Sequence, residues 1–201
     1  MATVRRLLGY AAFFGLAAWA VWSWWSERPV RHGPGVLAPA DPVQTAAPGV
    51  KPFACGRYTL TPRAAFAVRA RVLSTCRYRF DSGADLCPLD LALGWGCMSD
   101  EAVLKDIRID QYRRYFVWGA DRLPVPREDI ERHAANMHII PADETVRRTA
   151  LACRVGNVVR FSGWLVNATG PDGFSRTTSM SREDVGANAC EVVFVRSFAI
   201  E

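Results

Sequence analysis

The clearest pattern along the chain is a strict alternation from Ala65 to Leu73, with Phe66, Val68, Ala70 and Val72 on one side and Arg69 and Arg71 on the other. A period of two marks a half-buried strand. Further on, Ser99-Asp100-Glu101 predicts a helix start, with Val103, Leu104 and Ile107 as its apolar stripe. A strand is expected over Gln111–Trp118, a helix opened by Pro126 and running to about Asn136, and an extended Met137–Ile140 before Pro141. A third helix is expected from Ala142 to Arg154, ending at Gly156. The last third reads as β structure: Asn157–Ala168, a turn at Gly170-Pro171-Asp172-Gly173, Phe174–Ser179, and a final strand from Cys190 to Phe198. Gly163, sharing a face with Val159, Phe161 and Leu165, suits a bulge or sharp bend of the kind found in small barrels. The expected fold class is therefore α+β: one domain with a mainly antiparallel curved sheet or small barrel and about three helices. The run Gly156–Val166 looks like a strand of oligonucleotide/oligosaccharide-binding (OB) barrels, which makes an OB-like barrel one option.

Before this domain the pattern changes twice. Leu7–Trp25 carries no charge and, at about 1.5 Å per residue, approaches the thickness of a hydrocarbon core. Arg5 and Arg6 precede it, and Trp19, Trp22, Trp24 and Trp25 crowd its end, so residues 1–26 read as a tail and transmembrane anchor with the N-terminus inside. The competing reading is a cleaved signal peptide using Ala18-Trp19-Ala20; both export the domain. Ala11 and Gly15 have the small-xxx-small spacing that lets two helices approach, which keeps a homodimer open. Residues 27–52, with Pro29, Pro34, Pro39, Pro42, Pro48 and Pro52 among glycines, are expected to be a linker, leaving 53–201 as the globular domain in the periplasm of a bacterial envelope.

Charge changes this picture little. Of the formal +5, Arg5 and Arg6 supply two, and the longest basic runs elsewhere are the pairs Arg113-Arg114 and Arg147-Arg148. Nucleic-acid binding is disfavoured, because it needs several phosphates neutralised together. Six cysteines (Cys55, Cys76, Cys87, Cys97, Cys153 and Cys190) in an exported domain suggest disulfides, with Cys87–Cys97 the favoured pair, since residues 88–96 read as a compact loop. Buried thiols are the alternative. No metal or cofactor is expected: there is no C-x-x-C, H-E-x-x-H, P-loop, dinucleotide fingerprint or G-x-S-x-G elbow.

Three segments carry candidate chemistry. Asn136-Met137-His138 places a titratable ring before an apolar strand, where it could act as acid or base or simply form a structural corner. Ser179 to Gly186, with Arg182 and Asp184 and followed by Glu191, combines hydroxyl, guanidinium and carboxylate groups in one loop and is the first choice for a binding surface. Asp90 to Gly96 sets Asp90 and Trp95 around glycines; the indole could stack on a ligand or plug the core edge. The leading expectation is a non-enzymatic envelope module binding a protein or glycan through Asp90, Trp95, Asn136, Ser179 and Arg182. The alternative is a hydrolase in which His138 is oriented by Asp184 or Glu191.

The segments Asp90–Gly96, Ala135–Ala142, Gly163–Val166 and Ala189–Val195 together resemble an uncharacterised family of proteobacterial membrane-anchored proteins. That resemblance implies an envelope location and a single domain; the family has no established activity, and it implies no catalytic residue.

Overall fold

The computed structural model describes residues 10, 13–20, 28–47, 49–184, 186 and 189–201. Residues 13–20 are helical (α1). The remaining expected anchor positions lie outside the described residues, among which no helix is long and apolar enough to cross a membrane.

The domain is α+β with a mostly antiparallel sheet. Its strands are β1 (Val43–Ala46), β2 (Phe53–Cys55), β3 (Tyr58–Arg77), β4 (Leu89–Gly94), β5 (Arg108–Tyr112), β6 (Tyr115–Gly119), β7 (Ala134–Pro141), β8 (Val158–Thr169), β9 (Ser175–Arg176) and β10 (Glu191–Ile200). The helices are α2 (Glu101–Leu104), α3 (Arg127–Arg132) and α4 (Glu144–Leu151). Strand pairings run β3-β4-β7-β10-β8 and return to β3, so five strands form a closed ring; only β7–β10 is parallel. Closure is made possible by the length of β3: its first part pairs with β8 and its last part, from Arg71, with β4.

The alternation read in the sequence is the inside of this ring. Phe66, Val68, Ala70 and Val72 meet Leu89, Leu91 and Leu93 of β4, Met137 and Ile139 of β7, Val159, Phe161 and Leu165 of β8, and Val193 and Val195 of β10 in one buried cluster. α4 caps it with Val146 and Ala150. Asp143 starts that helix by accepting from the Val146 amide at 2.8 Å, which satisfies one of its unpaired donors.

Several expectations are corrected. Residues 88–96 do not form a loop: β4 is a central strand with every residue buried, because it is covered on both faces. Gln111–Trp118 is not one strand but the core of the β5–β6 hairpin. The helix after Pro126 ends at Arg132, and β7 begins at Ala134. Most of residues 28–46 is a strap rather than a free linker: the Val30 amide donates to Val155 O at 2.8 Å, the Leu37 and Ala38 amides to Ser99 Oγ at 3.1 and 3.0 Å, and Val43–Ala46 pairs with β3. Proline removes amides that a ladder would need, but the amides between the prolines still find partners.

Candidate functional site

Two faces of β4 and β7 share one register. While Leu89, Leu91 and Leu93 point inward, Asp90 and Ala92 point outward, directly opposite His138 and Asn136 of β7. This outer surface is roofed by the β5–β6 hairpin, whose Ile109, Phe116 and Trp118 pack with Leu73, Ala92, Met98, Ile107 and Ile130.

The hairpin is fastened at its tip. Arg113 and Arg114 form the two-residue turn with φ of 50° and 70°, a left-handed pair normally left to Asn-Gly. Strain of this kind persists only where the surroundings hold it. Here the surroundings hold Arg114: its guanidinium donates to Asp81 at 2.7 and 2.9 Å, to Asp90 Oδ1 at 2.9 Å and to Cys87 O at 2.9 Å, and lies 3.5 Å above the Tyr78 ring. Burial works against its charge, but Asp81 and Asp90 outweigh burial and keep its pKa above the ordinary value. Asn136 secures the same hairpin from below, accepting from Gln111 Nε2 at 2.6 Å and donating to Arg114 O at 3.2 Å.

Beside this junction a cleft of about 440 Å³ opens between the hairpin, the start of β7 and the loop before β10. Its walls include Tyr112, Tyr115, Trp118, Glu131, Asn136 and Asp184. Tyr112 and Tyr115 are exposed, at 57% and 49% of their surface, whereas their neighbours Phe116 and Trp118 root the wall in the core.

The predicted site residues divide accordingly. Asn136 and Asp184 line the cleft. Trp95 is 1% exposed inside the barrel cluster, so the indole plugs the core and offers no stacking surface. Asp90 is buried against Arg114 and His138. Ser179 is turned into its own loop, donating to Asp184 Oδ2 at 2.6 Å and accepting from the Ser181 amide. Arg182 folds inward onto Glu191 at 2.7 Å, and Glu191 Oε2 is left without a hydrogen-bond partner.

His138 stands 2.9 Å from a carboxylate, but that of Asp90, not Asp184 or Glu191. The approach is off the hydrogen-bond line, so the buried Nδ1 has no hydrogen-bond partner, while Nε2 lies 3.1 Å from Arg176 Nη1 in a ring that is 4% exposed. All six cysteines are free thiols. The expected Cys87–Cys97 pair is not formed: Cys87 sits with Leu86 and Ile140, and Cys97 with Leu73 and Met98, in separate clusters. Burial pushes Cys87 and Cys153 up to about 12 and Cys190 to about 11, the opposite of an activated thiolate. Among the described residues no group of three His, Cys, Asp or Glu side chains is placed to hold a metal ion.

The Tyr112, Tyr115 and Trp118 wall was not singled out in the sequence, because one continuous strand had been expected there. The available signal was apolar or aromatic residues on both parities, Tyr115 and Val117 against Phe116 and Trp118, which means that both faces of the strand are in use.

Glu191 yields a pH prediction. Burial pushes its carboxyl up to about 7 against the pull of Arg182, from an ordinary value of 4.5. A raised carboxyl favours the folded state while protonated, so its contribution is full below about pH 4.5 and is lost as pH rises to about 7. Thermal unfolding should show this component as a decline in Tm between pH 5 and 7, on the order of 3 kcal/mol in stability. In Glu191→Gln that slope should disappear, whatever the absolute Tm.

No protein-family model, curated protein or solved structure is matched by this chain.

Proposed function

We propose that this protein is a membrane-anchored binding module of the bacterial envelope, built on an OB-type barrel, that takes a glycan chain in the cleft between the β5–β6 hairpin and the loop before β10. The barrel assignment is supported by the order of the five ring strands: numbered along the chain they pair 1-2-3-5-4-1, with the third and fifth parallel and α4 between the third and fourth. OB barrels bind oligonucleotides and oligosaccharides. The anchor rests on the uncharged run 7–25 and its flanking arginines.

The observation that carries the reading is the cleft's composition. Exposed tyrosine rings on one wall give flat apolar surfaces for sugar faces, and Asp184 and Glu131 on the other side supply acceptors for hydroxyls. A hairpin latched by Arg114 and Asn136 makes that wall rigid before a ligand arrives, which lowers the ordering cost of binding. A glycan fits better than nucleic acid because the charged groups lining the cleft, Glu131 and Asp184, are acidic. The hydrolase alternative is weaker because His138 is sealed between Asp90 and Arg176, away from the cleft.

The test is a titration of the purified chain in detergent with a panel of β-linked amino-sugar oligosaccharides and of extended peptides, followed by tryptophan fluorescence. Saturable quenching by oligosaccharide is expected, weakened at least tenfold in Tyr112→Ala/Tyr115→Ala with Tm unchanged. Saturation by peptides alone, or equal affinity in the double variant, would refute the glycan cleft.

A further inference from the structure

We infer that the end of the domain formed by Val30, Val155 and the tail of α4 lies directly on the membrane and rests on anionic lipid headgroups. The inference depends on the anchor reading above and goes beyond it, because an anchor followed by a free linker would let the domain stand well away from the bilayer.

The geometry that removes this freedom is local. Val30 donates its amide to Val155 O at 2.8 Å, and His32 Nε2 is 2.7 Å from Gly156 O. Gly156 permits the approach: at its φ of +89° a Cβ would stand 1.9 Å from Val30 O, so the strap lies where any other side chain would be. Five residue steps separate Trp25 from Val30, a reach of at most about 17 Å. The polar layer on each side of the hydrocarbon core is itself about 6 Å deep. The strap therefore keeps the Val155 end within about 11 Å of the outer edge of that layer, close enough for long basic side chains to meet headgroups.

The chemistry of that end matches. Arg31 adjoins the strap contact and Arg154 adjoins Val155; Arg77 reaches the α4 terminus by donating to Leu151 O at 2.7 Å, and Arg148 is exposed on α4. The acidic neighbour on α4, Glu144, is engaged by Arg147 at 3.6 Å. Val155, 36% exposed, gives an apolar tip among these cations. Arginines near an anionic surface each strengthen association on the order of fivefold, and guanidinium groups suit phosphate oxygens.

The experiment uses the full chain in nanodiscs of phosphatidylglycerol with phosphatidylcholine, or of phosphatidylcholine alone, each with a trace photoactivatable phospholipid, and maps the labelled peptides. Labelling of residues 148–155 is expected in the anionic discs. It should fall at least fivefold in the zwitterionic discs and in Arg31→Glu/Arg148→Glu/Arg154→Glu, with the chain retained in the disc throughout. Retention without labelling at 148–155, or labelling indifferent to lipid charge and to the triple variant, overturns the inference while leaving the anchor standing. A chain not retained in any disc removes the anchor and the inference with it.

Discussion

Arg114→Ala should lower the unfolding free energy by about 3–5 kcal/mol, the cost of breaking a buried ion network from one side. The Arg114 side chain is 10% exposed and that of Asp90 1% exposed. Removing the guanidinium leaves Asp90 buried beside His138 alone, with Asp90 Oδ2 already unpartnered. The neighbouring turn residue separates network from strain. Arg113 shares the left-handed backbone, but its side chain is exposed and, among the described residues, reaches only the Tyr112 ring, at 5.9 Å. Arg113→Gly should therefore be neutral or stabilising by about 1 kcal/mol, since glycine adopts that φ without steric cost. Urea unfolding of both variants checks the pair. If Arg114→Ala shifts the midpoint no more than an exposed arginine would, the hairpin is not held by its tip.

The second large effect is expected at Gly163. This residue pairs with Phe66 of β3 on one side and Val195 of β10 on the other, and the β10 register slips between Val195 and Ser197. A Cβ at Gly163 would lie 1.9 Å from Phe194 O, a backbone atom that cannot swing aside. Gly163→Val should thus push β10 off β8 and open the ring, costing about 3 kcal/mol or more. Ser162→Ala, one position away, loses only an exposed hydroxyl contact to Ser197 and should change stability by less than about 1 kcal/mol. Near-equal midpoints for Gly163→Val and Ser162→Ala would show that the ring does not close as described.

The parts of the fold legible in the sequence were those where one face is wet. β3 alternates because its inner side chains fill the barrel while Ala65, Ala67 and Arg69 on the outer side stay partly exposed, although farther along Arg71 and Leu73 are buried on that side too, and α4 has a capping Asp143 and an apolar stripe. β4 was misread because its Gly-Trp-Gly end mimics a loop: Leu89, Leu91 and Leu93 do alternate with Asp90, Ala92 and Gly94, but both faces are covered, so the alternation marks no wet side. The hairpin was misread because its turn uses two arginines, residues chosen for what Arg114 grips and not for the turn itself. The strap was misread because prolines signal irregular backbone, whereas the contacts of Val30, Ala38 and Val43 are set by distant residues.

For the site, Asn136 and Asp184 were recognisable as polar groups beside an apolar strand, and both reach the cleft. Trp95 and Arg182 were chosen for what an indole or guanidinium does when exposed. Tertiary packing instead places one in the core and folds the other onto Glu191. Local sequence holds no record of that choice, because it depends on where β10 and α3 come to lie.

If the proposed glycan site is right, the cleft, and not the rest of the barrel surface, captures a glycan. Residue-specific photocrosslinking in native membranes addresses this, with a photoreactive phenylalanine at Tyr115 on the cleft wall and, for comparison, at Phe80, which is 98% exposed and is not part of the cleft lining. A glycan adduct is expected from position 115, sensitive to glycan-degrading treatment and absent from position 80. Equal capture from both positions, or none from 115 while the protein remains folded, would contradict it.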